Sequence, residues 1–255
     1  MSVGRRTALL APLSLAQPAA LLQQPVPPFN VLIVTATAGY RHDSIPIAVD
    51  AIQRIGRESG TFATTVIPET ADLGSLTPEL LAQQHAVCFI STSGELPLSD
   101  VQKQALLDFV RGGGGFFGAH SATDTLYEWP EYGDLIGAYF REHPWSQPVR
   151  VTVEDLSHPA TQALPASFEI ADEIYVFRND VRARPATRVL MSLDVSSVDS
   201  TVPAAGAPND FPLAWSSTYG AGRVLYNALG HADAVWQDPL FTTHLAAALS
   251  WIAGR

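Results

Sequence analysis

From Asn30 to His120 the chain repeats one pattern, a short apolar or β-branched run followed by a stretch with apolar residues at helical spacing. The runs are "NVLIVTA" from Asn30, "FATTVIP" from Phe62, "AVCFIST" from Ala86 and "FFGAH" from Phe116. A run that is apolar on both faces needs cover on both sides, which a parallel sheet between helical layers provides. The intervening stretches carry helix punctuation. "SIPIAVDAIQRIGRESG" has Ser44 as N-cap, Pro46 in the first turn and Gly60 past its end, with Ile47, Ala51, Ile52 and Ile55 at helical spacing. "TPELLAQQ" pairs Thr77 as cap with Pro78 at the first helical position. "SDVQKQALLDFVRGGGG" offers a Ser99/Gln102 capping box, apolar Val101, Ala105 and Phe109, and a glycine stop. Strands alternating with helices of this length predict right-handed βαβ units.

The second half has another rhythm. "PVRVTVED", "FEIADEIYVF", "TRVLMSLD" and "FPLAWSSTYGAGRVLYNALG" read as strands with no long helix between them, and "YGAGR" reads as a hairpin turn. "DPLFTTHLAAALSWIAG" closes the chain as an amphipathic helix capped by Asp238, while Ser196 to Asp210 reads as a long mobile loop. The expected fold is α/β, a three-layer, flavodoxin-like parallel sheet flanked by helices, with an antiparallel extension in the C-terminal half. No repeat or linker divides it, so residues 29–255 are expected to form one domain.

Charge and cysteine content narrow the function. The net charge is −10 and no lysine- or arginine-rich run occurs, which argues against nucleic acid or an anionic membrane as partner. A small uncharged substrate fits better. The leader "MSVGRRTALLAPLSLAQPAALLQQPVPP" (1–28) places Arg5 and Arg6 before an apolar stretch broken by Pro12, with small residues suited to cleavage after Ala16 or Ala20. This is the pattern of an export signal, with a hint of the twin-arginine route, and predicts a periplasmic or extracellular protein. The stretch is too short and interrupted to span a membrane. The sole cysteine, Cys88, lies in an apolar run and reads as core packing.

Ligands of open parallel sheets bind beyond the carboxyl ends of the strands. Four such ends carry polar clusters: Tyr40, Arg41, His42 and Asp43; Ser93 and Glu95; His120, Ser121, Thr123 and Asp124; His231 and Asp233. Any one of them could be a solvated or capping group, Asp43, Ser44 and Asp124 above all. The usual strand order brings His42, His120 and His231 toward one point, which predicts a pocket.

The segments "GYRHDSI", "GGGFFGAHSATDT", "YGDLIGAYFREHPW", "HPATQALP", "DEIYVF" and "YGAGRVLYNALGH", in this order, resemble the trehalose-utilisation (ThuA-like) family, whose fold is that of the class I glutamine amidotransferases. In those amidotransferases a nucleophilic cysteine occupies the turn after the fourth run, and a later His-x-Glu motif activates it. The resemblance puts His120 at or beside the cysteine position and His231 and Asp233 where His-x-Glu would stand. A histidine supplies no thiolate, so glutamine hydrolysis through a thioester is not expected. His120 reads instead as an acid, base, hydrogen-bond donor or ligand. The resemblance also assigns His143, Glu173 and Tyr175 to the site, and includes His158, which reads here as shaping the turn before Pro159. Trp145 and Trp236 offer flat faces for a sugar ring or pack as core and rim.

Two functions stay open at this point. One is an enzyme of trehalose, disaccharide or 3-keto-sugar breakdown, with His120, His231, Asp124 and Glu173 as catalytic groups and Tyr40, Arg41, His42, Ser121, His143, Tyr175 and Asp233 binding substrate. The other is a non-catalytic sugar-binding or assembly module. His42, His120, His143 and His231 with Asp124 or Glu173 could also hold zinc or another divalent ion, although no two of these histidines stand at i, i+2 or i, i+4. No cofactor is required by the sequence, and a homo-oligomer is left open.

Overall fold

Five parallel strands form the middle and one edge of a nine-stranded sheet in the computed structural model, which describes residues 28–199 and 210–255 with Met1 and Gly4. The leader expected over 1–28, Pro28 and those two residues apart, and residues 200–209 of the expected loop lie outside the described residues. The strands are β1 (Phe29–Val34), β2 (Phe62–Ile67), β3 (Ala86–Ile90), β4 (Gly115–Ala119), β5 (Phe140–Val153), β6 (Ser167–Phe177), β7 (Arg188–Leu193), β8 (Pro212–Tyr219) and β9 (Gly222–Asn227). The helices are α1 (Ile45–Ser59), α2 (Pro78–Leu81), α3 (Asp100–Arg111), α4 (Pro130–Ile136) and α5 (Pro239–Ile252). Spatial order is β2-β1-β3-β4-β9-β8-β7-β5-β6. β2, β1, β3, β4 and β9 run parallel, and β8, β7, β5 and β6 extend the sheet by antiparallel pairing. The fold is α/β, with helices flanking the parallel strands, as the two rhythms of the sequence predict.

Burial follows from position. β3 and β4 are buried at every residue, as strands covered on both faces must be. α1 packs beside α5, and α2 beside α3. The Ser99/Gln102 capping box forms at α3, and Asp238 accepts from the Leu240 and Phe241 amides at α5. The hairpin turn between β8 and β9 holds Gly220 at φ 63°, and a Cβ there would stand 2.7 Å from the Arg111 backbone. That turn therefore requires glycine.

Three expectations need correction. Ser44 does not cap α1; its hydroxyl donates to the Gly230 carbonyl at 3.0 Å. α3 buries Leu106, Leu107 and Val110 rather than the row at Val101, Ala105 and Phe109, because the helix carries two apolar rows and the leucine row is the one that enters the core. Val101 is 67% exposed, and its row borders a largely apolar cavity of about 710 Å³ between α2 and α3. β5 begins at Phe140, well before Pro148, because its first part is bulged between Phe140 and Trp145. Pro144 lacks a ladder donor, and the bulges blur the period-2 signal there.

Candidate functional site

The chain leaves β4 through a tight 3-10 turn, His120–Thr123. His120 has φ 49°, a left-handed conformation that costs a residue with a Cβ about 1–3 kcal/mol. Contacts from β9 and the residue after it hold it there. The Tyr226 hydroxyl donates to the His120 carbonyl at 2.7 Å, and His120 Nδ1 lies 2.9 Å from the Ala228 carbonyl. A carbonyl only accepts, so Nδ1 carries the hydrogen and Nε2 is left as a bare lone pair. That lone pair faces His42 Nε2 at 3.0 Å, and His42 Nδ1 lies 3.3 Å from the Ser121 hydroxyl.

The loop after β9 is pinned around Gly230. Its amide donates to buried Asp172 at 2.6 Å, and its carbonyl accepts from Ser44 and from Trp236 Nε1. Gly230 has φ 131°, and a Cβ would stand 2.8 Å from the Trp236 ring. The Ala232 amide also donates to Asp172. This pinning sets His231 beside the other two histidines: the rings of His231 and His120 are 5.4 Å apart, and those of His231 and His42 5.3 Å. His231 Nδ1 is buried without a hydrogen bond, 3.6 Å from Glu173 Oε2.

The antiparallel extension closes the site. On β6, Glu173 reaches His120 Nε2 at 3.8 Å through Oε2 and His143 Nδ1 at 3.2 Å through Oε1. The Tyr175 ring lies 4.3 Å from both the His120 and the Phe140 rings. A cleft of about 280 Å³ is lined by His42, His143, His231, Asp124, Glu173 and Tyr175, with Tyr40 and Phe140 completing its wall.

Burial dominates the electrostatics. It holds His42 down to about 4, with His231 adding to the effect, and it holds His120 well below the usual imidazole range, with His42 adding. Both are therefore neutral at neutral pH. Burial pushes the Asp172 carboxyl up to about 6 against three backbone amides that favour its charged form, and raises Asp124 against its bond from Tyr127.

The structure thus brings His120, His231, His42, Glu173, His143, Tyr175, Tyr40 and Asp124 together. Ser121 sits behind them, buried, as the partner of His42. Two expected members lie elsewhere. Arg41 turns to Glu69 at 3.0 Å and to the Thr35 carbonyl, and Asp233 is exposed outside the cleft. Neither tryptophan presents a face to it. Trp236 is fully buried, and Trp145 packs edge-on against Phe211. His158 serves the turn, accepting the Ala160 amide. Asp172 was missed. Its signal was parity: it shares a strand face with Ile170 and Ile174, where a carboxylate among apolar side chains needs a buried partner.

Four ligand atoms, one each from His42, His120, His231 and Glu173, lie within 4.8 Å of one another and could hold a metal ion. Of the wider set read from sequence, Asp124 is engaged by Tyr127 and His143 by the outer oxygen of Glu173.

A family model described as ThuA, trehalose utilisation, matches residues 30–252. Among solved structures, a protein described as ThuA-like from Bacteroides uniformis ATCC 8492 is 24% identical, with 93% of this chain covering 95% of that one at a TM-score of 0.71. Another described as ThuA-like, from Parabacteroides merdae ATCC 43184, is 20% identical over 89% of this chain and 90% of that one, at 0.69. A β-galactosidase from Bacillus circulans sp. alkalophilus is 14% identical, with 88% of this chain matching 31% of that one at 0.56. These structural likenesses show the fold. A comparison with curated proteins finds no match.

Proposed function

The chain belongs to the ThuA, or trehalose-utilisation, family, and from that premise we propose that it acts on a glycoside of the disaccharide or 3-keto-sugar class by proton transfer in the histidine and carboxylate cleft. The observation that carries this reading is the convergence of Glu173, His42 and His231 on one cleft of about 280 Å³, with the buried His120 directly behind them. That volume is at the low end for small-molecule sites and suits one sugar ring with the remainder outside.

A ketone on the ring acidifies the neighbouring C–H bond. A base removes that proton, the electrons move toward the ketone oxygen, and expulsion of the glycosidic oxygen follows once an acid protonates it. Glu173 suits the base role, since it lines the cleft, with Oε1 held by His143 and Oε2 lying against His120 and His231. The half-exposed His143 and His231 suit proton delivery. His42 and His120, held neutral, serve as hydrogen-bonding or lone-pair groups. Cys88 takes no part in this scheme; it is buried within β3, away from the turn at His120.

Steady-state turnover of a 3-keto-glycoside tests the proposal. His120→Ala, His231→Ala and Glu173→Gln are each expected to lower kcat/KM by about 100-fold or more. Sugar binding by the parent without turnover would favour the non-catalytic reading, and equal activity in parent and variants would remove this cleft from the reaction.

A further inference from the structure

We propose that His42, His120, His231 and Glu173 form a binding site for one divalent first-row transition ion of the zinc class. Donor type is the first argument. Three imidazole nitrogens and one carboxylate suit zinc, cobalt or manganese, whereas calcium and magnesium prefer oxygen.

Tautomers are the second. His120 has committed its hydrogen to the Ala228 carbonyl, the kind of outer bond that fixes a ligating histidine, so its Nε2 lone pair is free for an ion. His42 can donate Nδ1–H to the Ser121 oxygen and present Nε2 in the same way. Two bare nitrogens 3.0 Å apart repel each other unless a cation lies between them or His42 changes tautomer. An ion bound at about 2.0–2.2 Å separates adjacent ligand atoms by about 3–3.5 Å, which this pair meets and the Glu173 contacts approach.

The third argument is His231 Nδ1. It is buried, has no hydrogen bond and lies at 3.6 Å from Glu173 Oε2, too long for one. A buried acceptor or donor left alone is costly, and an ion between it and the carboxylate removes that cost. Glu173 then ligates through Oε2, and His143 on Oε1 orients it from outside. Four protein ligands leave room for an oxygen from the cleft. The ion's binding does not rest on the sugar reading given above; its use in turnover does, and would leave the base role to a group other than Glu173 Oε2.

The test strips the full chain with a chelator and titrates it calorimetrically with Zn(II), Co(II) and Mg(II). One Zn(II) or Co(II) per chain is expected, no response to Mg(II), and a rise in Tm of about 5–10 °C at a hundredfold excess over Kd. His231→Gln and Glu173→Gln, which leave the His120 turn intact, should weaken binding by about 100-fold, and His143→Gln by about 10-fold. No Zn(II) or Co(II) binding by the parent, or parent-like affinity in both ligand variants, overturns the site. Sugar turnover by the stripped protein would sink the metal's role in catalysis and leave the sugar reading standing; a bound ion without turnover would leave the binding site standing and count against the sugar reading.

Discussion

In the parallel half, the loops after β1, β3, β4 and β9 open on one rim. In the antiparallel half, neighbouring strands run in opposite directions, and the arm made by β5 and β6 is what reaches that rim. Burial differs as well: β3 and β4 are buried at every residue, while β5 alternates exposed with covered positions. The parallel half supplies three histidines, and the arm supplies the carboxylate, Glu173, and the Tyr175 ring that packs on His120. A site divided in this way depends on whatever fastens the arm to the parallel core.

Three fastenings can be cut in turn. The strongest is Asp172 on the Gly230 and Ala232 amides. Asp172→Ala leaves the buried Gly230 amide and the part-buried Ala232 amide unpaired and should cost about 3 kcal/mol in urea unfolding, with loss of the His231 position; an unchanged midpoint would show that the arm is held some other way. Asp172→Asn should recover part of the loss.

Next comes His244 of α5, whose Nδ1 lies 2.9 Å from the carbonyl of Ala160, between β5 and β6. Burial holds His244 down to about 4, with His158 pushing the same way and the Ala160 bond opposing. Because the folded value is depressed, the unfolded chain takes up more protons below about 6.5. Stability is therefore full above that pH and falls by up to about 3 kcal/mol toward pH 4, with the larger part lost only in acid. His158 is lowered by its burial, with Arg188 adding and Asp155 opposing, and contributes in the same direction. His244→Gln should flatten the curve of stability against pH; an identical slope in the variant would remove His244 as its source.

The weakest is Tyr127, whose hydroxyl lies 2.7 Å from Asp124 Oδ1 and 3.1 Å from the Phe140 carbonyl. Tyr127→Phe should cost about 1 kcal/mol and shift Tm by a few degrees, as differential scanning calorimetry would resolve.

The parallel half was legible because apolar runs, caps and glycine stops are local signals, and Ser99/Gln102 and Asp238 behave as their spacing implies. The position of His42, His120 and His231 just past strand ends is enough to predict that they lie near one another, since strand ends are fixed by strand order. Glu173 and Tyr175 entered through family resemblance, because nothing local says that an antiparallel arm folds back over the rim. Asp172 escaped for the same reason, its amide partner lying 58 residues away. The start of β5 was hidden by its bulges and Pro144. Arg41 looked like a rim residue, and it is; the sequence could not say that Glu69, on the neighbouring connection, would take it.

Cys88 gives the molecule a built-in clock. It is the sole thiol, it is completely inaccessible, and β3 lies between β1 and β4. Burial also pushes its thiol far up, which suppresses the reactive thiolate. A thiol-labelling reagent therefore records openings that undo the centre of the sheet and is blind to movements of the arm or the rim loops. The pace of labelling counts whole-molecule excursions in the unmodified sequence, with no reporter group to introduce.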